Sequence, residues 1–206
     1  MKLRELLTGV PICAGSADLE MEISGVSYDS RTTQPGDLFV AMTGFATDGH
    51  QYIAKALANG AAAVLCQQRP AEACAYVQTE NSRRALAVIG GNWFGHPAEK
   101  MTMIAVTGTC GKTTTTYLLK AILEQARGVK VGLIGTNQNM IGSDVIPTER
   151  TTPESFEVQK LFREMADAGC THVVMETSSH ALYLDRVYGV RYDVGIFTNL
   201  TQDHLD

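Results

Sequence analysis

The most constraining feature of the sequence is a glycine-rich segment at residues 108–113, Gly-Thr-Cys-Gly-Lys-Thr, between a strand pattern and a helix pattern. The following helix has a predicted apolar face of Leu118, Leu119, Ile122 and Ala126. Glycines let such a loop turn its backbone N–H groups toward a phosphate, and the helix N-terminus adds partial positive charge. Lys112 would then reach the terminal phosphates, and the Thr113 hydroxyl would ligate magnesium. The segment therefore predicts a nucleotide-phosphate loop.

This loop is shorter than the usual nucleotide pattern. The common form is G-x-x-x-x-G-K-[ST], whereas this chain has G-x-x-G-K-T, with Val106 where the first glycine would stand. The difference argues against an ordinary kinase or GTPase. An incidental glycine-rich turn is the alternative, but the agreement of strand, loop and helix favours a phosphate site.

The second half of the chain alternates strand and helix patterns. Strands are predicted at 101–106, 129–134, 171–175 and 193–197, and helices at 112–126 and 154–168. The strands are continuously apolar, which is typical of a parallel sheet covered on both faces by helices. We therefore predict an α/β fold with two domains, a small one at 1–98 and a parallel-sheet, mononucleotide-binding one at 99–206.

Patterns in the first half are shorter. Strands are predicted at 25–30 and 37–42, joined across a Gln-Pro-Gly-Asp turn signal, and at 62–66. Helices are predicted at the N-terminus, from Gly49 to a stop at Gly60, and at 82–94 before a Gly-His-Pro sequence.

Composition excludes several classes of protein. The 206 residues include 17 basic and 22 acidic side chains, and the formal charge of -5 provides no basic field for nucleic acid. The five cysteines form no C-x-x-C pair, which favours a reducing compartment. No secretory or membrane-spanning segment is evident, so we expect a cytoplasmic protein without a nucleic-acid or membrane partner.

Polar residues follow two of the predicted strands. Glu176 closes the strand at 171–175 and is either a second magnesium contact or a solvated strand-terminal residue. Ser178 and its neighbours lack the G-x-S-x-G context of a hydrolase, and their hydroxyls suit ligand binding or a helix N-cap. His204, between Asp203 and Asp206, is a metal-ligand candidate or part of a terminal tail.

Together these segments resemble the Mur ligases, and most closely the MurE type. The resemblance covers nearly the whole chain and rests on residues 28–31 with 35–41, 107–114, 147–153, and 175–180 leading to 199–206. It implies ATP-dependent amide formation in peptidoglycan synthesis, and so a part in cell wall biogenesis, cell shape and cell division. A diamino acid, meso-diaminopimelate or L-lysine, would be joined to UDP-MurNAc-L-Ala-D-Glu through an acyl phosphate.

The resemblance also implies roles for individual residues. ATP would be bound by Thr107, Gly108, Thr109, Cys110, Gly111, Lys112, Thr113 and Thr114. Magnesium would be held by Thr113, Glu176 and His204, and the catalytic residues would be Lys112, Glu176 and His204. UDP-MurNAc-peptide would be contacted by Tyr28, Ser30, Thr151, Thr152, Ser178 and Arg186. A monomer is expected.

The sequence departs from the family pattern at three points. Cys110 stands where the family commonly has Asn, and Leu184 stands where a Gln often precedes the substrate arginine. The chain ends at Asp206, before the family's carbamylated lysine and C-terminal domain, so we expect an incomplete central domain and no activity in isolation. Two alternatives stay open: another ligase of the superfamily, such as a folylpolyglutamate or cyanophycin type, and a non-catalytic module that binds a UDP-sugar-peptide.

Overall fold

The computed structural model describes residues 1–44 and 47–201. These residues form two compact units, which divide between Trp93 and Phe94. The domain limits of 1–98 and 99–206 stay a prediction, and each unit is described by itself.

The first unit contains a five-stranded sheet. Its strands are β1 (Ala14–Gly15), β2 (Gly25–Ser27), β3 (Asp37–Val40), β4 (Ala63–Cys66) and β5 (Tyr76–Gln78), in the order β1-β5-β4-β3-β2. Its helices are α1 (Leu3–Leu6), α2 (Ile53–Ala58) and α3 (Ser82–Phe94), with a short 3-10 helix at Gly49–Tyr52. β1 is antiparallel to β5, and the other neighbouring strands are parallel.

The turn signal at 34–37 does not form a hairpin. β2 and β3 are neighbours, but they run parallel, with Gly25 opposite Asp37. The chain returns to the amino end of the sheet through residues 28–36 before β3 begins, and Gly36 adopts φ +88° there. The turn residues therefore end a crossover connection.

The second unit contains a six-stranded sheet. Its elements are β6 (Thr102–Thr107), α4 (Lys112–Arg127), β7 (Val131–Ile134), β8 (Asn139–Ile141), β9 (Asp144–Ile146), α5 (Ser155–Asp167), β10 (His172–Glu176), α6 (Ser179–Tyr183) and β11 (Val194–Phe197), after a 3-10 helix at Pro97–Lys100. The order is β11-β6-β10-β7-β8-β9. β11, β6, β10 and β7 are parallel, and β8 and β9 form an antiparallel edge that the sequence patterns did not predict.

Alternate residues of β6 and β10 enter two different apolar clusters. Met103 and Met175 pack with Phe162 of α5 on one face, and Ile104 and Val174 lie in the cluster on the other face. Leu119 and Leu123 of α4 pack against that second cluster. Both faces of the sheet are covered, which confirms the predicted α/β class.

The predicted apolar face of α4 is wrong for three of its four residues. Leu119 packs inward, but Leu118 and Ile122 are each 58% exposed and Ala126 is also exposed. Two polar residues, Thr116 and Lys120, are buried instead. The Lys120 ammonium pairs with Glu124 at 2.6 Å, so its hydrocarbon chain can lie along the sheet while its charge is compensated.

The carboxyl ends of the parallel strands lie side by side along one end of the second sheet. The loop 108–111 leaves the carboxyl end of β6, between the ends of β10 and β11. Ligands of open parallel sheets bind at this end. Among the residues described in the structure, no helix is long and apolar enough to cross a membrane.

Candidate functional site

Two glycines give the loop its shape. Gly108 has φ +127° and Gly111, the N-cap of α4, has φ +86°, values that side-chain-bearing residues rarely adopt. A Cβ atom on Gly108 would collide with the Thr198 hydroxyl and lie 2.8 Å from the Asn199 carbonyl oxygen. Gly108 is therefore needed for both its backbone angle and its close approach to the segment after β11.

Residues after β11 brace the loop. The Thr198 hydroxyl donates to the Cys110 carbonyl oxygen at 2.7 Å, and the Cys110 N–H donates to the Asn199 side chain at 3.0 Å. The Thr109 N–H donates to the Asn199 carbonyl oxygen at 3.0 Å. The sequence interpretation did not give Thr198 and Asn199 this role, although polar residues directly after a buried strand were a usable signal.

Lys112 lies over the loop that precedes it. Its ammonium donates to the Gly108 carbonyl oxygen at 2.6 Å and to the Thr109 carbonyl oxygen at 3.0 Å. The structure thus brings the ammonium, the loop and the first turn of α4, with Thr113 and Thr114, into one cradle at the end of β6. A cradle of this composition suits a phosphate group.

Glu176 is fully buried at the end of β10, which rules out a solvated strand-terminal residue. Its Oε2 accepts from the Thr113 hydroxyl at 3.1 Å and from the Thr136 hydroxyl at 3.0 Å, and its Oε1 accepts from the Thr136 N–H at 2.9 Å. Sequence reasoning missed Thr136, which follows the carboxyl end of β7, the strand next to β10.

The contact between Thr113 and Glu176 fits a magnesium ion. One hydroxyl and one carboxylate are hard oxygen ligands, and magnesium sites often take only one or two protein carboxylates beside phosphates and waters. Residues 1–44 and 47–201 contain no cluster of three or more His, Cys, Asp or Glu arranged for a metal. His204, predicted as a third ligand, lies outside the described residues.

The predicted peptide-binding residues of the second unit lie beside Glu176. The Thr152 hydroxyl donates to the Glu176 carbonyl oxygen at 2.8 Å, and Arg186 donates to the Thr152 carbonyl oxygen at 3.1 Å. Thr151 lies 3.0 Å from the Thr136 hydroxyl. The Ser178 hydroxyl accepts from the Ala181 N–H at 3.1 Å and is therefore the N-cap of α6.

A carboxylate that sequence reasoning missed holds Arg186. The Glu154 carboxylate lies 3.0 Å from the Arg186 guanidinium and 3.1 Å from that of Arg150, and its side chain is only 9% exposed. Glu154 is also the N-cap residue of α5. An acid two residues after the paired threonines was the available signal for a partner to a nearby arginine.

Tyr28 and Ser30 lie in the first unit, in the connection after β2. Ser30 is buried, and its carbonyl oxygen accepts from the Asn59 side chain at 2.7 Å. Between them, Asp29 is bound by Arg31 at 2.6 Å, and this hydrogen bond lowers the pKa of the Asp29 carboxyl. The conformation of this connection is therefore fixed by the hydrogen bond from Asn59 and by the pair of Asp29 with Arg31.

Comparison with known proteins identifies the family. A profile of the Mur ligase middle domain matches residues 106–206, and a profile of the Mur ligase family catalytic domain matches residues 22–101. The chain belongs to the Mur ligase family. This confirms the resemblance in the sequence, and the first match begins just before the loop.

Two relatives within the Mur ligase family are named UDP-N-acetylmuramoyl-L-alanyl-D-glutamate--2,6-diaminopimelate ligase. That of Clostridium tetani is 47% identical over 211 residues, covering 100% of this chain and 43% of the relative. That of Clostridium botulinum is 52% identical over 190 residues, covering 90% of this chain and 39% of the relative. The chain therefore spans less than half the length of these Mur ligases.

Solved Mur ligase structures agree with the fold. A structure of a UDP-N-acetylmuramoyl-L-alanyl-D-glutamate--2,6-diaminopimelate ligase superposes with a TM-score of 0.81 at 26% identity, covering 100% of this chain and 42% of that one. MurF ligase from Thermotoga maritima, solved in complex with ADP, has a TM-score of 0.55 at 23% identity and covers 84% of this chain and 37% of that one. The second likeness concerns the fold alone.

Proposed function

We propose that the chain forms the UDP-substrate-binding and ATP-binding parts of a MurE-type ligase. That ligase would add a diamino acid to UDP-MurNAc-L-Ala-D-Glu by way of an acyl phosphate. The observation that carries the proposal is the position of Glu176, whose carboxylate accepts from Thr113 beside the loop and whose carbonyl oxygen accepts from Thr152. One buried residue thus joins the predicted nucleotide and peptide sites.

The phosphates of ATP would lie in the loop cradle. Loop N–H groups and the N-terminus of α4 would face them, and the Lys112 ammonium would leave its two loop carbonyls to contact the terminal phosphate. Thr113 and Glu176 would hold magnesium, with His204 as a further ligand. Magnesium would neutralise phosphate charge while a carboxylate is phosphorylated.

The peptide end of the second substrate would lie beside Thr151, Thr152 and Arg186. A guanidinium fixed by Glu154 is suited to bind a carboxylate of the muramoyl peptide, because its fork geometry matches that group. The Ser178 N–H already donates to Thr152, so the segment after β10 would move little on binding. Tyr28 and Ser30 would contact the UDP end.

In the cell, such a chain would serve peptidoglycan synthesis and thus cell wall biogenesis, cell shape and division. We place it in the cytoplasm as a monomer, with ATP, UDP-MurNAc-L-Ala-D-Glu and a diamino acid as its partners and without a nucleic-acid or membrane partner. The names of the relatives favour 2,6-diaminopimelate as the diamino acid.

Calorimetric titration tests this function without requiring turnover. We expect the chain to bind UDP-MurNAc-L-Ala-D-Glu and, separately, ATP with magnesium. Arg186→Ala should weaken the first interaction and leave the second unchanged. Binding of a folate in preference to the nucleotide-peptide would favour the folylpolyglutamate alternative, and nucleotide-peptide binding without ATP binding would favour the non-catalytic module.

A further inference from the structure

Glu176 is held from two neighbouring strands. Thr113 approaches from the helix after β6, and Thr136 approaches from the segment after β7, so β10 ends between its two supports. Of these donors, only Thr113 is also a predicted magnesium ligand. The two hydrogen bonds from Thr136 do not depend on Thr113, so they can persist when the Thr113 oxygen binds a metal.

The local packing leaves the carboxylate little freedom. A Cβ atom on Gly135 would lie 2.5 Å from Glu176 Oε1, so the residue before Thr136 must be small for the carboxylate to occupy this position. The Asn139 side chain accepts from the Gly135 N–H at 3.3 Å and fixes this segment from its other side. The Thr136 N–H is therefore directed at Oε1 by a braced backbone.

The Thr136 hydroxyl also lies 3.0 Å from the Thr151 hydroxyl. A hydroxyl has one proton to donate and two lone pairs that accept, whereas an ionised carboxylate only accepts. Thr136 is the donor in both contacts, so its single proton goes to one oxygen at a time, and the charged Glu176 carboxylate is the stronger acceptor. The Thr136 hydroxyl therefore lies between a predicted peptide-binding threonine and a predicted magnesium ligand, within hydrogen-bond distance of both.

We propose that Thr136 is a positioning residue: its N–H and hydroxyl fix the orientation of the Glu176 carboxylate toward the metal. The proposal rests on the proposed function of the site. Partners that orient a metal ligand typically contribute about 10- to 100-fold to metal affinity. Because a hydroxyl is required, serine should replace threonine at this position and valine should not.

The test is Mn²⁺ binding, followed by electron paramagnetic resonance of the 206-residue chain with the non-hydrolysable analogue AMP-PNP. Thr136→Val should weaken Mn²⁺ binding by about 10-fold or more, and Thr136→Ser should restore it to within about 3-fold of the original chain. Thr102→Val is the matched control, because Thr102 is the first residue of β6 and lies at the amino end of the strands, opposite the site. Thr136→Ala replaces the valine variant if circular dichroism shows that valine disrupts the fold.

Three outcomes are distinguishable. Weakening in the valine or alanine variant with rescue by serine supports the inference. Equal Mn²⁺ affinity in the variants and the original chain overturns the inference and leaves the proposed function intact. Failure of the original chain to bind Mn²⁺ with AMP-PNP overturns the proposed nucleotide site, and the inference with it.

Discussion

The Thr113 hydroxyl donates to the buried Glu176 carboxylate at 3.1 Å and so connects the start of α4 to the end of β10. This contact lies between the loop at 108–111 and the threonines at 151 and 152. A strand-terminal carboxylate near a phosphate loop is a common position for a magnesium contact. The hydrogen bond therefore marks where the predicted nucleotide and peptide sites meet.

Gly108→Ala should destabilise the second unit more than Gly111→Ala does. Both residues have positive φ, but among the described residues only Gly108 has atoms within reach of an added methyl group. We expect a loss of about 3 kcal/mol in the free energy of unfolding for Gly108→Ala and about 1 kcal/mol for Gly111→Ala. Urea unfolding of both variants measures the difference, and equal losses would contradict the close approach to the segment after β11.

Glu154→Gln should weaken binding of UDP-MurNAc-L-Ala-D-Glu by about 10-fold, because the ion pair that orients Arg186 loses its negative charge. Glu164→Gln is the control, since Glu164 lies on the helix that Glu154 caps and forms a longer ion pair, at 3.9 Å, with Lys160. Calorimetry measures both variants. If the two variants bind the nucleotide-peptide with similar affinity, Glu154 does not contribute to substrate binding.

Sequence patterns predicted the second unit well where apolar runs were long. The helices predicted at 112–126 and 154–168 and the central parallel strands were found because continuous apolar strands and periodic helices are strong local signals. The edge strands β8 and β9 are three residues long, too short to show a period. Their pairing is determined by contacts with β7, which no local pattern contains.

Contacts between side chains were harder to predict from the sequence than helices and strands. Glu176 and Lys112 were found from their places beside a strand end and a loop. Thr136, Glu154 and Asn199 were missed, because each acts on a residue far away in sequence and only the fold brings the pair together. The face of α4 was misassigned because burial of Lys120 depends on its ion pair with Glu124.

Tyr192 should make the second unit sensitive to alkaline pH. Burial raises the pKa of the Tyr192 phenol to about 12, from 10 for an ordinary tyrosine. The unfolded chain therefore loses this proton first, so the stabilisation is complete below pH 10 and is lost as the pH rises toward 12. We expect a decrease of about 2 kcal/mol in the free energy of unfolding over that range.

Tyr192→Phe should reduce this alkaline loss, whereas Tyr183→Phe, at a side chain that is 74% exposed, should not. Urea unfolding at several pH values between 9 and 12 provides the comparison. Identical pH profiles for the original chain and the Tyr192 variant would show that another group causes the loss.

Nucleotide should protect one cysteine from alkylation. Cys110 and Cys13 are exposed, and Cys66 is buried, which raises the pKa of its thiol to about 11. We expect iodoacetamide to label Cys110 and Cys13 faster than Cys66, and ADP with magnesium to slow labelling at Cys110 alone. Peptide mapping by mass spectrometry reads each site separately, and equal slowing at Cys13 would exclude specific protection.

A calorimetric titration of the chain with ATP and magnesium measures nucleotide binding at the loop most directly. Lys112→Ala should weaken binding by at least about 10-fold, because a charged hydrogen bond to phosphate contributes about 1.5–3 kcal/mol. Lys100→Ala, in the 3-10 helix before β6, should bind as the original chain does. Equal affinities for the original chain and the Lys112 variant would contradict a nucleotide site at this loop.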